Sequence, residues 1–125
     1  LDPVRKVTLP FNINGAALAA LKAALTDTDF LPTYAAQVRA SRELMYDACR
    51  RLGLMCWPSA ANYVLVKVED PAPYVEALTT RRIHVRDKSS DPTTPGCLRI
   101  TTGLVEHTRR AVDALETVHS ERASR

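Results

Sequence analysis

Two arginines, Arg86 and Arg99, are the residues of this sequence best suited to bind a ligand. Each lies in a short run in which apolar and polar residues alternate, at positions 83–87 and 96–101. Alternation with a period of two is typical of half-buried β-strands and places both arginines on the face away from the apolar residues. The polar loop 88–95 between the runs contains two prolines, which favours a turn that returns the chain. The two guanidiniums are therefore expected to approach one cleft.

The chemistry that two converging guanidiniums offer is the binding of anions. A guanidinium presents a planar fork of donors that holds a carboxylate or a phosphate bidentately, and it stays charged at any physiological pH. A ligand with two anionic ends would suit such a pair. The residues alone leave a second interpretation open, because exposed arginines commonly have no function. In that case Arg86 pairs with Asp87 or Asp91, and Arg99 is a solvated strand residue.

Other chemistries find little support in the sequence. The four glycines stand alone, so there is no glycine-rich phosphate loop. Ser59 has no partnered base, and no residue is predicted to be catalytic. No metal site is predicted, since the histidines and cysteines lack metal-ligand spacing. The histidines are expected at the surface, and the cysteines are expected as small buried residues in a reducing compartment: His84, His107, His119, Cys49, Cys56 and Cys97.

Length and composition indicate one ordinary globular domain. The chain has 125 residues, of which 46% are hydrophobic and 25% charged, enough to bury a core. The net charge is only +3, and the basic residues are interspersed with acidic ones, which argues against a nucleic-acid partner. We find no apolar run of about 18 residues and no signal peptide, so the prediction is a cytoplasmic protein without a membrane partner. Because the chain opens at Leu1 without methionine, we expect it to be part of a longer protein.

The periodicity of apolar residues predicts an α+β fold. Strand 62–68 is rich in β-branched residues, and we expect it to be central and buried mostly on both faces. The order of elements then implies a small mixed or antiparallel sheet covered by helices. Residues 1–14 are expected to form a linker, 15–119 the domain and 120–125 a frayed tail. Helices are predicted near 15–25, 32–52, 70–82 and 104–118, and a further short strand at 54–57.

Four runs of the sequence form a recognisable set. They are Pro-Phe-Asn-Ile-Asn at 10–14, Ser-Ala-Ala-Asn-Tyr-Val-Leu-Val at 59–66, Ile-His-Val-Arg-Asp at 83–87 and Gly-Cys-Leu-Arg-Ile-Thr-Thr-Gly at 96–103. Together they resemble the C-terminal part of the histidinol-phosphate aminotransferases. Leu-Arg-Ile-Thr-x-Gly ahead of a terminal helix, at Arg99, is typical of this branch of the pyridoxal-phosphate aminotransferases. Val-Arg-Asp, thirteen residues earlier at Arg86, is similar to the motif of the histidinol-phosphate enzymes.

The resemblance implies a role for each arginine and a small-domain sandwich as the fold. In that family the arginine that corresponds to Arg99 holds the α-carboxylate of amino-acid substrates. The arginine that corresponds to Arg86 helps to bind the phosphate of histidinol phosphate. Since histidinol phosphate has no carboxylate, Arg99 would serve the half-reaction of glutamate and 2-oxoglutarate, and it could add to the binding of the phosphate.

The resemblance also implies features that this chain does not carry. In the family a large domain binds pyridoxal phosphate and supplies the lysine of the Schiff base, and the enzymes are homodimers. Residues 1–14 would lead from that domain. The four lysines lie in none of the family's lysine contexts, so this chain alone is predicted not to bind the cofactor firmly or to transfer amino groups. They are Lys6, Lys22, Lys67 and Lys88.

Three alternatives stay open. The chain could belong to an aromatic amino acid aminotransferase or to a threonine-phosphate decarboxylase, which share this fold. It could also be a free-standing, non-catalytic anion-binding or regulatory module derived from such a domain.

Overall fold

The computed structural model describes residues 13–124 of the chain. Within that range it contains four helices and three strands, which confirms the predicted α+β class. They are α1 (Gly15–Ala24), α2 (Phe30–Leu52), β1 (Tyr63–Lys67), α3 (Pro71–Thr80), β2 (Arg86–Asp87), β3 (Cys97–Thr101) and α4 (Val105–Ala123). None of the helices described is both long and apolar enough to cross a membrane.

The chain divides into two compact units between Pro32 and Thr33, and the second unit contains the sheet and both arginines. The first contains α1, whose first turn is capped by Asn14. The Asn14 side-chain oxygen accepts a hydrogen bond from the backbone N–H of Ala17 at 2.8 Å, and asparagine is among the residues preferred at this position. Of the predicted linker 1–14, residues 1–12 lie outside the described range, and the domain boundaries stay a prediction.

Helix α2 begins at Phe30, two residues before its predicted start. The Asp27 carboxylate accepts a hydrogen bond from the Phe30 N–H at 3.1 Å, and this satisfies one of the donors that a helix leaves unpaired at its N-terminus. At the other end Gly53 adopts φ +66°. The N–H of Leu54 then reaches the Cys49 carbonyl at 2.9 Å, which is the turn that a glycine after a helix permits.

The three strands form an antiparallel sheet in the order β1-β3-β2. The prediction that strand 62–68 is central was therefore wrong: β3 is the middle strand, because the chain returns after β2 and inserts between the two others. The predicted strand at 54–57 is reduced to one bridge, between Cys56 and Val66 on the outer side of β1. Strand β2 is also shorter than predicted, since only Arg86 and Asp87 pair.

One face of the sheet is buried and the other is open. On the buried face Val64, Val66, Leu98 and Ile100 are at most 3% exposed. They form one core cluster with side chains of α2, α3 and α4, such as Met45, Leu78 and Leu115. The open face of β1 carries Tyr63, Leu65 and Lys67, which are only half-buried. The prediction that β1 is buried on both faces was thus wrong, because the three helices that form the core with the sheet all pack on its same face.

Helix α4 continues to Ala123, five residues beyond its predicted end at Val118. Its buried residues recur at helical spacing and end with Leu115 and Val118. Beyond them the helix is exposed, except that His119 is half-buried. The guanidinium of Arg81, the residue that follows α3, reaches this last part and binds Glu121 at 2.7 Å. A contact between helices therefore extends α4 past the apolar stripe that the sequence shows.

Gly96 allows the chain to enter β3, and we expect its replacement by alanine to destabilise the domain. Its φ is +66°, and a Cβ at this position would lie 2.7 Å from the Glu69 carbonyl oxygen. The methyl group would clash with backbone that hydrogen bonds hold in place. Gly96→Ala should therefore lower the free energy of unfolding by about 2 kcal/mol. Urea unfolding followed by the fluorescence of Trp57, the single tryptophan, would measure the loss.

Gly53 supplies the matched control for that substitution. It has the same φ of +66°, but nothing lies within 4 Å of a Cβ built on it. Gly53→Ala should therefore show only the backbone cost of about 1 kcal/mol. Equal losses from the two substitutions would contradict a clash at Gly96.

Candidate anion-binding site

The two predicted arginines lie directly opposite each other in the sheet. Arg86 on β2 is the register partner of Arg99 on β3. Side chains of directly opposed residues point to the same face, with Cβ atoms about 5 Å apart. That face is the open one, because the neighbours of Arg99 in β3, Leu98 and Ile100, point into the core. The two arginines thus share one surface of the sheet, and their approach to one cleft stays a prediction.

Neither arginine forms an ion pair with a carboxylate among residues 13–124. Asp87 instead accepts a hydrogen bond from the Ser89 N–H at 2.7 Å, and Asp91 accepts one from the Thr93 hydroxyl at 2.7 Å. These hydrogen bonds lower the pKa of both carboxyls. Asp91 also pairs with Lys88 at 3.3 Å. The interpretation in which Arg86 pairs with Asp87 or Asp91 is therefore not what the structure contains.

Arg99 is held by an aromatic ring. Its guanidinium carbon lies 5.3 Å from the centre of the Tyr63 ring, a distance at which a cation is attracted to the ring face. Tyr63 pairs with Thr101, so it shares the open face with Arg99 one step along the strands. Arg99 is half-buried and Arg86 is exposed. The stacking restricts the side chain of Arg99 while its N–H groups remain available to a ligand.

An apolar groove of about 480 Å³ lies on the same open face. Leu65, which is the register partner of Arg99 in β1, belongs to its lining. The Lys67 amine donates to the Pro95 carbonyl across this groove. The face thus combines a basic end with an apolar surface, which suits an organic anion better than an inorganic one. The lining residues are Met55, Trp57, Leu65, Lys67, Thr93, Thr94, Pro95 and Cys97.

The residues that could do other chemistry are separate from this face or engaged elsewhere. In the range 13–124 no group of three or more His, Cys, Asp or Glu side chains could hold a metal ion. His84 and His107 are exposed as expected, whereas His119 is half-buried and its Nδ1 lies 2.7 Å from the Tyr74 hydroxyl. The Ser59 hydroxyl accepts a hydrogen bond from the Ala61 N–H at 3.1 Å. The hydroxyl therefore stabilises a local turn.

Two features of the site, the contact between Tyr63 and Arg99 and the apolar groove, were not predicted from the sequence. The alternation of side chains in β1 allows Tyr63 to lie on the same face as Arg99. Only the register between β1 and β3 shows that the two side chains meet. The groove could not be predicted either, because hydrogen bonds between the segment with Met55 and Trp57 and strand β1 form one of its sides. The Lys67 N–H donates to the Met55 carbonyl at 2.8 Å.

Comparison with known proteins identifies the relatives of this chain. Residues 1–115 match the family model described as aminotransferase class I and II. A curated histidinol-phosphate aminotransferase of Symbiobacterium thermophilum is 39% identical over 97% of this chain and 34% of its own length. Another, from Mannheimia succiniciproducens, is 36% identical over 88% of this chain and 30% of its own length. The chain thus spans about a third of the length of the curated relatives that it matches.

Solved structures agree with the family model. A putative aminotransferase from Burkholderia pseudomallei superposes with a TM-score of 0.74 and 28% identity, over 94% of this chain and 36% of the other. Histidinol-phosphate aminotransferase from Sinorhizobium meliloti was solved in complex with pyridoxal-5'-phosphate. It superposes with a TM-score of 0.72 and 26% sequence identity, over 96% of this chain and 34% of the other. The small antiparallel sheet with its helices is therefore a recurring part of these enzymes.

Proposed function

This chain belongs to the class I and II aminotransferase family, and from that premise we propose that it is the substrate-binding small domain of a histidinol-phosphate aminotransferase. The observation that carries the proposal is the pairing of Arg86 with Arg99 on the open face of the sheet. Two neighbouring cations without a carboxylate partner among the described residues suit substrates that carry two separate anionic groups. The proposal is further supported by relatives of that name at 36% and 39% identity.

We assign the two arginines different substrates. Arg99, which stacks on Tyr63, binds the α-carboxylate of glutamate and 2-oxoglutarate. Arg86, which is more exposed and lies on the edge strand, binds the phosphate of histidinol phosphate. Bidentate hydrogen bonds from a guanidinium suit both groups. In amino transfer the same cleft must accept both substrates in turn, and two adjacent arginines allow this without a rearrangement of the protein.

Pyridoxal phosphate supplies the chemistry of amino transfer in this family, and we propose that its binding site lies outside residues 13–124. The Lys67 amine donates to the Pro95 carbonyl, and the Lys88 amine pairs with Asp91. Both amines are therefore engaged by groups of the domain itself. We propose that the remainder of a longer polypeptide binds the cofactor, that residues 1–14 connect to it, and that the complete enzyme is a homodimer.

The experiment that tests this function uses the full-length protein that carries this chain, loaded with pyridoxal phosphate. Purified protein is given histidinol phosphate with 2-oxoglutarate, and formation of glutamate is measured. The same assay with phenylalanine as donor, and an assay for release of CO₂ from O-phosphothreonine, examine the alternatives. We expect histidinol phosphate to give the highest kcat/KM. Preference for phenylalanine or decarboxylation of O-phosphothreonine would overturn the assignment of the substrate.

Tyr63 should act as a positioning residue for Arg99 in that enzyme. Without the ring, the Arg99 side chain gains rotamers and loses an attraction of about 1 kcal/mol. We therefore expect Tyr63→Leu to raise the KM for glutamate roughly fivefold while the KM for histidinol phosphate changes less. Tyr63→Phe keeps the ring and should behave like the wild type. Equal effects of the two substitutions on glutamate would contradict a stacking role.

A further inference from the structure

Helix α2 is hydrogen-bonded to both loops at one end of the sheet. At the junction between β3 and α4, the Gln37 side chain accepts a hydrogen bond from the Val105 N–H at 3.2 Å. One turn further along α2, the Ser41 hydroxyl donates to the Gly103 carbonyl at 2.8 Å. Ser41 is 0% exposed. The chain between β3 and α4 is therefore fixed to α2 by two hydrogen bonds.

The loop ahead of β1 is bound by the next two polar side chains of α2. The Arg42 guanidinium donates to the Ala61 carbonyl at 2.8 Å. The Tyr46 hydroxyl accepts a hydrogen bond from the Ser59 N–H at 2.8 Å. Arg42 and Tyr46 are four positions apart, so they are neighbours on one side of the helix. Residues 58–62 form neither helix nor strand, and their peptide groups need such partners.

The two loops are also bonded to each other, directly beside Tyr63. The Thr102 N–H donates to the Asn62 carbonyl at 2.8 Å. The neighbouring pair along the strands is Tyr63 with Thr101, at the end of the register between β1 and β3. The Tyr63 ring in turn lies against the Arg99 guanidinium. The loop that α2 binds therefore leads directly into the stacked pair of Tyr63 and Arg99.

The planarity of the peptide unit connects the Arg42 hydrogen bond with the direction of the Tyr63 side chain. The Ala61 carbonyl shares a rigid unit with the Asn62 N–H, and the Asn62 carbonyl shares the next unit with the Tyr63 N–H. Arg42 fixes the first unit, and Thr102 fixes the second. Because both units ahead of Tyr63 are fixed, its ring leaves the backbone in one direction.

We propose that Arg42 is a positioning residue for the stacked pair of Tyr63 and Arg99, a role that rests on the proposed function of the site. Arg42 is half-buried and forms no ion pair within residues 13–124. A hydrogen bond from a charged donor is about twice as strong as a neutral one, which suits it to fix a loop. Arg42 keeps Arg99 oriented for the α-carboxylate, so its loss weakens binding of the amino-acid substrate rather than the chemical step.

Hydrogen exchange in the full-length enzyme, followed by mass spectrometry, tests the structural part of this role without a substrate. Arg42→Met removes the guanidinium but keeps an apolar stem. We expect peptides that contain Thr102 to exchange roughly fivefold faster in this variant, because the loop that accepts its N–H opens more often. Exchange in α3 should stay unchanged. Arg42→Lys can still donate one hydrogen bond and should restore the protection.

Steady-state kinetics separate positioning from general stability. We expect Arg42→Met to raise the KM for glutamate about threefold while kcat stays within about twofold, and Arg42→Lys to recover the wild-type KM. In a Tyr63→Leu background no ring is left to position, so Arg42→Met should change the KM by less than about 1.5-fold. Arg39→Ala removes an exposed arginine of the same helix and should behave like the wild type.

Two results would overturn the role of Arg42. One is unchanged exchange of Thr102 in Arg42→Met. The other is a rise in KM that adds in full to the rise caused by Tyr63→Leu, because Arg42 would then act independently of the ring. A wild-type enzyme that is inactive with glutamate would instead contradict the proposed function, and the exchange measurement would still decide whether Arg42 fixes the loop.

Discussion

Replacement of Arg99 by alanine should lower kcat/KM for glutamate about 1000-fold in the full-length enzyme. Loss of one partner of a charge-assisted bidentate contact costs 2–5 kcal/mol, and about 4 kcal/mol corresponds to this factor. The upper part of that range applies because Arg99 is half-buried and already oriented by Tyr63. Steady-state kinetics of the glutamate half-reaction would measure the loss.

Two further variants separate the role of the guanidinium from that of its charge. Arg99→Lys keeps the charge but loses the planar fork, so we expect it to recover only part of the activity. Arg109→Ala removes an arginine that is exposed on α4, and it should leave the kinetics unchanged. If Arg99→Ala lost less than tenfold, the carboxylate would have to be bound elsewhere.

Replacement of Arg86 by alanine should be selective for the phosphorylated substrate. We expect kcat/KM for histidinol phosphate to fall about 100-fold, a loss of about 3 kcal/mol. The effect is smaller than at Arg99 because Arg86 is more exposed and has no aromatic ring against it. For glutamate the change should stay within about threefold, since Arg86 then faces no carboxylate.

The comparison of the two substrates is the informative measurement for Arg86. Equal losses for glutamate and histidinol phosphate would mean that Arg86 holds the fold or the neighbouring arginine rather than the phosphate. Urea unfolding of Arg86→Ala separates these cases, since an exposed arginine on a two-residue edge strand should contribute little to stability. A phosphate role predicts unchanged unfolding together with selective kinetics.

The candidate site shows which parts of a binding surface a local pattern of residue types can predict. Alternation in the two short runs correctly predicted that Arg86 and Arg99 point away from the core. Alternation of side chains between the two faces of a strand is a local property of the backbone, so the sequence alone predicts it. Which residues of β1 adjoin those arginines depends on the register between β1 and β3, whose paired residues are 30 or more positions apart in the chain. No local signal encodes that register.

The errors about the sheet have the same origin. The β-branched run at 62–68 indicated a strand, and β1 is one, but its burial on both faces did not follow. Valines on one face pack against helices, while Leu65 and Lys67 line the groove on the open face. An apolar side chain is compatible with a core, a groove or a surface that another part of an enzyme covers. Only the positions of the neighbouring elements distinguish these cases.

The sequence by itself determined the class of the fold, the approximate helices, and the two arginines with their motifs. These follow from periodicity, capping residues and turn chemistry, which act over a few residues. The tertiary structure alone decided that β3 is central, that Tyr63 stacks on Arg99, and that the aspartates are engaged within their own loop. Each of these depends on which surfaces approach each other when the apolar faces are buried together, and that choice is made by the whole chain at once.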